Sequence, residues 1–267
     1  MGILTISREF GSGGGEIGRM VAEAKGYEYL DKEKLLSEMS SKGGNWEKWA
    51  TDFDEHCPTT WEKFDWSFRG FTALMQSALL NHAVRDNIVI MGRGANLLLK
   101  GIAHVLSIRI IAPMEERVQR IMRRESVNSQ TGQWMVKKID QERSRFLYSM
   151  YGRHAETPES YDLIINTGSR SLESVAQMVK TLLEEKEKLR TSESQGVSEI
   201  RAAAARVKAG LATDQSLFIP TLEVDNDGRN ILLRGIVHNP KEQKRLEEAA
   251  TKLAGGLSVK SELHYRS

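Results

Sequence analysis

Short apolar runs alternate with longer amphipathic stretches along roughly the first 185 residues of the chain. The runs are rich in branched residues and lack the polar alternation of half-exposed strands, which is typical of strands buried on both faces. They predict five strands, at residues 3–7, 27–30, 87–91, 105–111 and 161–165. Helical periods lie between them, so the pattern predicts an α/β fold with a parallel sheet flanked by helices.

Three of the intervening stretches have clear helical periods, at residues 68–85, 114–125 and 134–148. The polar residues 126–133 predict a hairpin between the second and third of these helices. Segment 43–66 contains four tryptophans among charged residues and has only weak periodicity. We expect this segment to form an inserted subdomain or a lid.

The pattern changes near the end of the α/β segment. A charged run followed by small polar residues predicts a linker over 186–196. The order that follows is helix, strand, turn, strand, helix and strand, at 197–211, 218–224, 225–228, 230–237, 240–253 and 257–265. Asp227-Gly228 between two apolar runs is a hairpin signal. We therefore expect a small α+β domain over 197–267, separate from the α/β domain over 1–185.

Composition excludes several classes of protein. The formal net charge of the 267 residues is only +2, so we expect no nucleic-acid partner. Cys57 is the only cysteine, which rules out an internal disulfide and a zinc site built on several cysteines. No apolar run approaches the ~18 residues of a membrane span, and the first residues lack the pattern of a secretion signal. We expect a cytoplasmic protein without a metal site of its own.

A glycine-rich loop follows the first predicted strand and precedes a helical period that starts near Glu16. Its residues are Gly11, Ser12, Gly13, Gly14 and Gly15. Glycines let consecutive backbone N–H groups point at one anion, and the helix start adds a partial positive charge. The loop predicts a phosphate site, with a plain connector as the alternative. A complete P-loop has a lysine after its last glycine, and no lysine follows Gly13.

Arg93 follows the predicted strand at 87–91 and lies between Gly92 and Gly94. In an open parallel sheet, ligands bind beside the carboxyl ends of the strands, and a guanidinium there suits a phosphate group. An incidental surface turn is the alternative. Asp31 follows the second predicted strand at the same edge, where its carboxylate suits a sugar hydroxyl, Mg²⁺ or the cap of the next helix.

Arginines form a third cluster, on the two predicted helices that follow the fourth strand. Its members, with one aspartate among them, are Arg117, Arg120, Arg123, Arg124, Asp140, Arg143 and Arg145. Phosphoryl transfer needs such a concentration of positive charge, because negative charge spreads over the moving phosphoryl oxygens. Two arginine helices joined by a hairpin would form a lid, and a solvated amphipathic helix is the alternative.

Five motifs, in this order, carry a resemblance to a known family. They are ISREFGSGGGEIG at 6–18, YLDK at 29–32, VIMGRGAN at 89–96, RIIAP at 109–113 and YDLIINT at 161–167. Over residues 1–185 the chain resembles the cytidylate kinase-like family of P-loop nucleoside monophosphate kinases. That resemblance implies a five-stranded parallel sheet, ATP with Mg²⁺ as the phosphoryl donor, and a nucleoside monophosphate, CMP or dCMP, as the acceptor.

The resemblance also implies roles for individual residues. The donor phosphates would be held by Gly11, Ser12, Gly13, Gly14 and Gly15, and Glu16 beside the loop belongs to the same cofactor site. The acceptor would face Asp31 and Arg93, and Arg93 would also take part in the transfer. A closing lid would contribute the catalytic arginines Arg120, Arg124, Arg143 and Arg145.

Two features depart from the pattern of cytidylate kinases. A lysine and a hydroxyl residue follow the loop in those enzymes, where this chain has Gly14 and Glu16. An acidic residue follows their acceptor-side arginine, where this chain has Gly94. Arg8 and Arg19 are candidates to replace the missing charge, and Glu16 is a candidate to bind Mg²⁺ directly. A catalytically impaired nucleotide-binding regulator is therefore the alternative to an active kinase.

Residues 197–266 resemble a BON domain. The resemblance rests on the order of helices and strands, on LLRGIV at 232–237 and on the segment 249–259. It implies a phospholipid or membrane-surface partner, or a protein partner, and a regulatory or localising role for this domain.

Overall fold

The computed structural model of the protein describes residues 1–40 and 65–265. These residues divide into two compact units. The first unit contains residues 1–34 and 85–190. The second unit contains residues 35–40, 65–84 and 191–265. The predicted insert or lid at 43–66 lies outside the described residues except for its last two positions.

Five strands form the sheet of the first unit. They are β1 (Ile3–Arg8), β2 (Glu28–Leu30), β3 (Ile88–Met91), β4 (Val105–Ile111) and β5 (Leu163–Asn166). Their order across the sheet is β2-β3-β1-β4-β5, and every neighbouring pair is parallel. Nearly all residues of β1, β3 and β4 are buried, which explains their continuous apolar character. The predicted α/β class is confirmed.

The helices of the described residues alternate with these strands and then continue into the second unit. In chain order they are α1 (Gly14–Lys25), α2 (Lys32–Ser40), α3 (Trp66–Ala83), α4 (Ala95–Leu98), α5 (Met114–Glu125), α6 (Ser129–Tyr151), α7 (Leu172–Glu187), α8 (Ser192–Thr213) and α9 (Pro240–Leu253). The core of the first unit combines residues of β1 and β4 with Ile17 and Val21 of α1 and with Val175 and Val179 of α7.

The predicted hairpin at 126–133 is wrong. α6 begins at Ser129, and only residues 126–128 connect it to α5. Asn128 caps the helix, because its side-chain oxygen accepts a hydrogen bond of 2.9 Å from the Thr131 backbone N–H. The polar residues therefore belong to a capped first turn. The two arginine helices are joined by a short connection rather than by a long loop.

The second unit contains a three-stranded sheet. Its strands are β6 (Glu223–Asn226), β7 (Ile231–Val237) and β8 (Val259–Tyr265). The central strand β7 is antiparallel to β6 and parallel to β8. The predicted α+β order is confirmed, and the β6–β7 hairpin turns at Asp227-Gly228. The strand predicted at 218–224 begins only at Glu223, because Pro220 has no N–H group to donate to a β-ladder. It extends to Asn226, so the turn is shorter than the predicted 225–228.

α8 begins within the segment expected to be a linker, 186–196. Thr191 and Ser194 form a reciprocal capping box at its start, and α7 ends at Glu187. Residues 188–191 therefore connect the two helices.

α3 belongs to the second unit, although its sequence lies between β2 and β3. Arg206 of α8 donates a hydrogen bond of 3.3 Å to Asn81 of α3. Arg69 of α3 donates to the Leu222 carbonyl at 3.1 Å. Within the described ranges, no helix combines the length and the apolar character that a membrane crossing requires.

Candidate active site

The glycine loop connects β1 to α1 in the first unit. Gly11 and Gly13 have φ angles of 79° and 84°, in the left-handed region that favours glycine. A Cβ atom at Gly13 would lie 2.5 Å from the Leu172 side chain, so a larger residue here would also have to displace that leucine. The first backbone N–H groups of α1 have no partner within the helix, which is the geometry that suits an anion.

Hydrogen bonds to its carbonyl groups hold the other side of the loop. Ser12 O accepts from the Thr167 hydroxyl at 2.7 Å and from Arg120 Nη1 at 3.0 Å. Arg120 also donates to the hydroxyl and carbonyl oxygens of Thr167, each at 2.9 Å. Ser12 and Thr167 are fully buried. Arg120, predicted as a lid residue, thus joins the loop to the residue that follows β5.

Helices α5 and α6 brace the beginning of the loop. The Phe10 N–H donates to Asp140 of α6 at 2.7 Å, and Arg117 of α5 pairs with the same carboxylate. Arg117 also lies 3.5 Å from Glu9, which accepts from the Ala112 N–H at 3.1 Å. Arg117 is buried, so the two carboxylates balance its charge.

Two further arginines of the predicted cluster contact the Phe10 ring. Arg124 of α5 and Arg143 of α6 place their guanidinium carbons 5.1 and 5.6 Å from the ring centroid, which is cation–π distance. Arg143 also donates to the carbonyl of Arg8 at 3.2 Å. These contacts bring Arg124 and Arg143 to the loop, where Arg120 also lies.

Arg145 does not join this cluster. It is two residues from Arg143 and therefore about 200° around the same helix. Its side chain is exposed. Among the residues with described positions, no hydrogen bond or ion pair connects Arg145 to the loop.

Arg93 lies in the turn between β3 and α4, where three consecutive residues have positive φ angles of 70°, 58° and 73°. Its guanidinium stacks on the Phe146 ring of α6, 4.8 Å from the centroid. Its carbonyl accepts a hydrogen bond of 2.8 Å from the Tyr151 hydroxyl. A Cβ atom at Gly94 would collide with the Tyr151 ring. This contact explains why glycine stands where the resemblance implies an acidic residue.

Asp31 caps α2 at the carboxyl end of β2. Its Oδ1 accepts from the Lys34 N–H at 3.1 Å, and its Oδ2 lies 3.9 Å from Arg19 Nη2. The Arg19 guanidinium lies over the Tyr29 ring, 5.0 Å from the centroid. Because β2 and β3 are parallel neighbours, Asp31 and Arg93 lie at the same edge of the sheet.

All of these residues fall within one segment that matches a known family. The sequence profile of the cytidylate kinase-like family matches residues 3–169. The chain belongs to the cytidylate kinase-like family. The profile of the BON domain matches residues 201–267. Both resemblances are confirmed, and the family together with the parallel sheet identifies the chain as a protein of the nucleotide-kinase type.

Individual relatives cover different parts of the chain. A cytidylate kinase of Pyrococcus horikoshii is 26% identical over 183 residues, which are 68% of this chain and 88% of that enzyme. A uronate isomerase of Corynebacterium glutamicum is 32% identical over 97 residues, 36% of this chain, and the match spans only 19% of that protein. A solved structure of an uncharacterized protein from Eubacterium ventriosum has a TM-score of 0.54 at 22% identity, covering 69% of this chain and 99% of its own.

Arg8 is one of the two candidates to replace the charge of the missing lysine. It ends β1, and its guanidinium lies against Gly92, beside the Arg93 turn. Burial and then the positive charge of Arg93 lower the pKa of Arg8. Within residues 1–40 and 65–265, its guanidinium makes no hydrogen bond and no ion pair.

The sequence pattern predicts no contact for Phe10, Tyr151 or Thr167. Phe10 and Thr167 follow β1 and β5 at the carboxyl edge of the sheet. That position alone indicates that they lie near a ligand site. Tyr151 gave no such signal, because its contact with the Arg93 turn depends on how α6 packs.

The donor set at the loop fits ATP with Mg²⁺. Mg²⁺ that accompanies a nucleotide is held mainly by phosphate oxygens, waters and one or two carboxylates. Glu16 lies in the first turn of α1, 3.9 Å from Arg124 Nη1, and its side chain is accessible. The structure, over the ranges it describes, contains no group of three or more His, Cys, Asp or Glu side chains suited to a metal ion.

Proposed function

We propose that the chain is a nucleoside monophosphate kinase that transfers the γ-phosphoryl group of ATP to CMP, dCMP or a similar acceptor. One observation carries the proposal: the glycine loop and Arg93 follow the parallel neighbours β1 and β3, so both lie at the carboxyl edge of the sheet. α6 contacts both of them, through Asp140 and Tyr151. A donor and an acceptor phosphate need such a pair of neighbouring sites.

In this proposal the glycine loop holds the phosphates of ATP with backbone N–H groups, and Glu16 faces the Mg²⁺ that accompanies them. Arg120, Arg124 and Arg143 place positive charge around the loop. Arg93 binds the phosphate of the acceptor, and Asp31 faces the same side. The acceptor class follows the relative named cytidylate kinase, and such substrates favour the cytoplasm as the place of the reaction.

The reaction requires little covalent chemistry from the protein. An oxygen of the acceptor phosphate attacks the γ-phosphorus in line, the bond to the β-phosphate oxygen breaks, and ADP and a nucleoside diphosphate leave. The acceptor phosphate is already ionised, so no general base is needed. The protein lowers the barrier by positioning the two phosphates and by neutralising their charge.

A regulator that binds nucleotides without transfer is the second candidate. Two observations favour it: Gly14 stands where an active P-loop has lysine, and α3, which lies inside the kinase-family match, packs in the unit of the BON domain. The BON domain is then proposed to bind a phospholipid surface or a protein partner. Co-sedimentation of the full chain with anionic vesicles separates these two partners.

The test of the kinase proposal combines an acceptor panel with one variant pair. The full chain, ATP and Mg²⁺ are mixed with CMP, dCMP, UMP, AMP or GMP, and diphosphate products are quantified. Arg93→Gln is expected to raise the KM for the preferred acceptor at least about tenfold, because it removes a charge-assisted phosphate contact. Arg85→Gln, an exposed residue before β3, is the control. Nucleotide binding without product for every acceptor would favour the regulator instead.

A further inference from the structure

The side chain of Arg8 connects the two halves of the candidate site. A Cβ atom at Gly14, the first residue of α1, would lie 2.7 Å from Arg8 Cβ. At the other end, a Cβ atom at Gly92 would collide with Arg8 Nη1. The side chain therefore runs from the start of α1, where we propose the donor phosphates, to the turn that carries Arg93, where we propose the acceptor.

In the described part of the chain, the Arg8 guanidinium has no hydrogen bond and no ion pair. Arg93 adds a second positive charge nearby. The charges of Glu33 and Asp31 attract the guanidinium, but neither carboxylate forms an ion pair with it. Holding a poorly solvated cation beside another cation is unfavourable unless an anion joins them. The surroundings of Arg8 therefore favour the binding of an anion.

The other arginines near the loop are already engaged. Arg120 hydrogen-bonds the Ser12 carbonyl, and Arg143 lies on the Phe10 ring. Arg19, the second candidate to replace the missing lysine, is 64% exposed and lies over Tyr29. Arg8 is thus the better-placed of the two candidates.

We propose that Arg8 replaces the P-loop lysine and donates hydrogen bonds to the phosphoryl oxygens that pass from ATP to the acceptor. The inference rests on the proposed function and assigns the missing charge to one residue. A guanidinium reaches two oxygens at once with its planar fork. It stays protonated, so it neutralises charge while the bond to ADP breaks and the bond to the acceptor oxygen forms. Gly92 provides the space that this side chain needs.

Four variants of the full chain test the inference: Arg8→Gln, Arg8→Lys, Arg19→Gln and, as the surface control, Arg85→Gln. Four quantities are measured: the affinity for ATP with Mg²⁺ in the absence of acceptor, kcat, the KM for the acceptor, and the unfolding midpoint without ligand. Arg8→Gln is expected to lower kcat by about 10³-fold and to weaken ATP binding at least about tenfold. Arg8→Lys restores part of both losses, and Arg19→Gln loses far less than Arg8→Gln.

The unfolding midpoint distinguishes a phosphate ligand from a structural residue. Arg8→Gln without ligand is expected to unfold no earlier than the wild type, because the variant removes a buried charge that has no ion-pair partner among the described residues. A lower midpoint together with reduced activity would make Arg8 structural and overturn the inference. The inference would also be overturned if Arg8→Gln had an ATP affinity and a kcat within about twofold of the values for Arg85→Gln.

The proposed function and this inference fail in different ways. A wild-type chain that transfers no phosphoryl group to any acceptor contradicts the proposed function. The ATP affinity of Arg8→Gln against Arg85→Gln then still decides whether Arg8 binds phosphate. If the wild type transfers phosphoryl groups and Arg8→Gln has the same activity and ATP affinity, the proposed function holds. The proposed role of Arg8 is then rejected.

Discussion

The hydroxyl of Thr167 joins three parts of the first unit: the end of β5, the glycine loop and α5. It donates to Ser12 O, and it accepts from Arg120. The residue has no exposed surface, so water does not replace either hydrogen bond. The position of the loop carbonyl therefore depends on this one oxygen atom together with the Arg120 guanidinium.

Replacing Thr167 by Val keeps the shape of the side chain and removes both hydrogen bonds. We expect the free energy of unfolding to fall by about 1–3 kcal/mol, because buried polar groups lose a partner. The affinity for ATP should fall with it, since the loop is less firmly held. Urea unfolding and calorimetry of Thr167→Val measure the two effects. Thr167→Ser, which keeps the hydroxyl, is the control, and a Val variant as stable as the Ser variant would contradict this account.

In the first unit, the interactions of Asp86 connect the turn before β3 to the segments before β4 and after α7. Asp86 in this turn is buried, pairs with Arg190 and lies 3.1 Å from His104 Nε2. Burial alone would raise the pKa of Asp86, but the interactions with His104 and Arg190 outweigh it and hold the pKa below its usual value. The carboxylate thus stabilises the folded unit in its charged form.

This arrangement predicts a loss of stability in acid. A carboxyl group with a lowered folded-state pKa stabilises the protein fully above its unfolded-state pKa, about 4. That contribution is lost as the pH falls through the folded-state pKa. Asp86→Asn should be less stable than the wild type at pH 6, and the difference should shrink towards pH 3. Asn tolerates the positive φ of 57° at this position, so the backbone is preserved. Urea midpoints that differ equally at both pH values would contradict the prediction.

At the scale of the whole molecule, the kinase-family segment and the BON-domain segment do not coincide with the two compact units. Residues 3–169 match the kinase family, yet α3 within them packs in the unit that holds the BON domain. Buried apolar residues of α3 include Phe71 and Leu79. Its contacts with α8 include the Asn81–Arg206 hydrogen bond.

A chain that ends at residue 190 therefore lacks the partner of α3. We expect it to expose apolar surface, to bind a hydrophobic dye such as ANS, and to associate in size-exclusion chromatography. Full-length Asn81→Ala, which removes only one hydrogen bond, is the control and should remain folded. A truncated chain that is monomeric and unfolds cooperatively at the temperature of the full chain would contradict this role of the C-terminal segment.

The sequence was sufficient for the sheet and for several complete elements. Continuous apolar character gave the five strands, and Met114–Glu125 is a helix as predicted, because Pro113 marks its start and its face pattern is strong. The start of α6 was missed, since a polar capped turn resembles a loop in composition. Two contacts of the site depend on packing between elements that are distant in sequence: that of Arg120 with the loop carbonyls and that of Tyr151 with the Arg93 turn. The spacing of apolar residues does not encode such packing.

We propose that a glycine loop without its lysine still supports phosphoryl transfer in this protein. The decisive measurement incubates the full chain with CMP, Mg²⁺ and ATP labelled at its γ-phosphate. We expect label in the β-phosphate of CDP, with one ADP formed for each CDP. Binding of both nucleotides without label in CDP, or in the diphosphate of any other nucleoside monophosphate supplied in place of CMP, would contradict it.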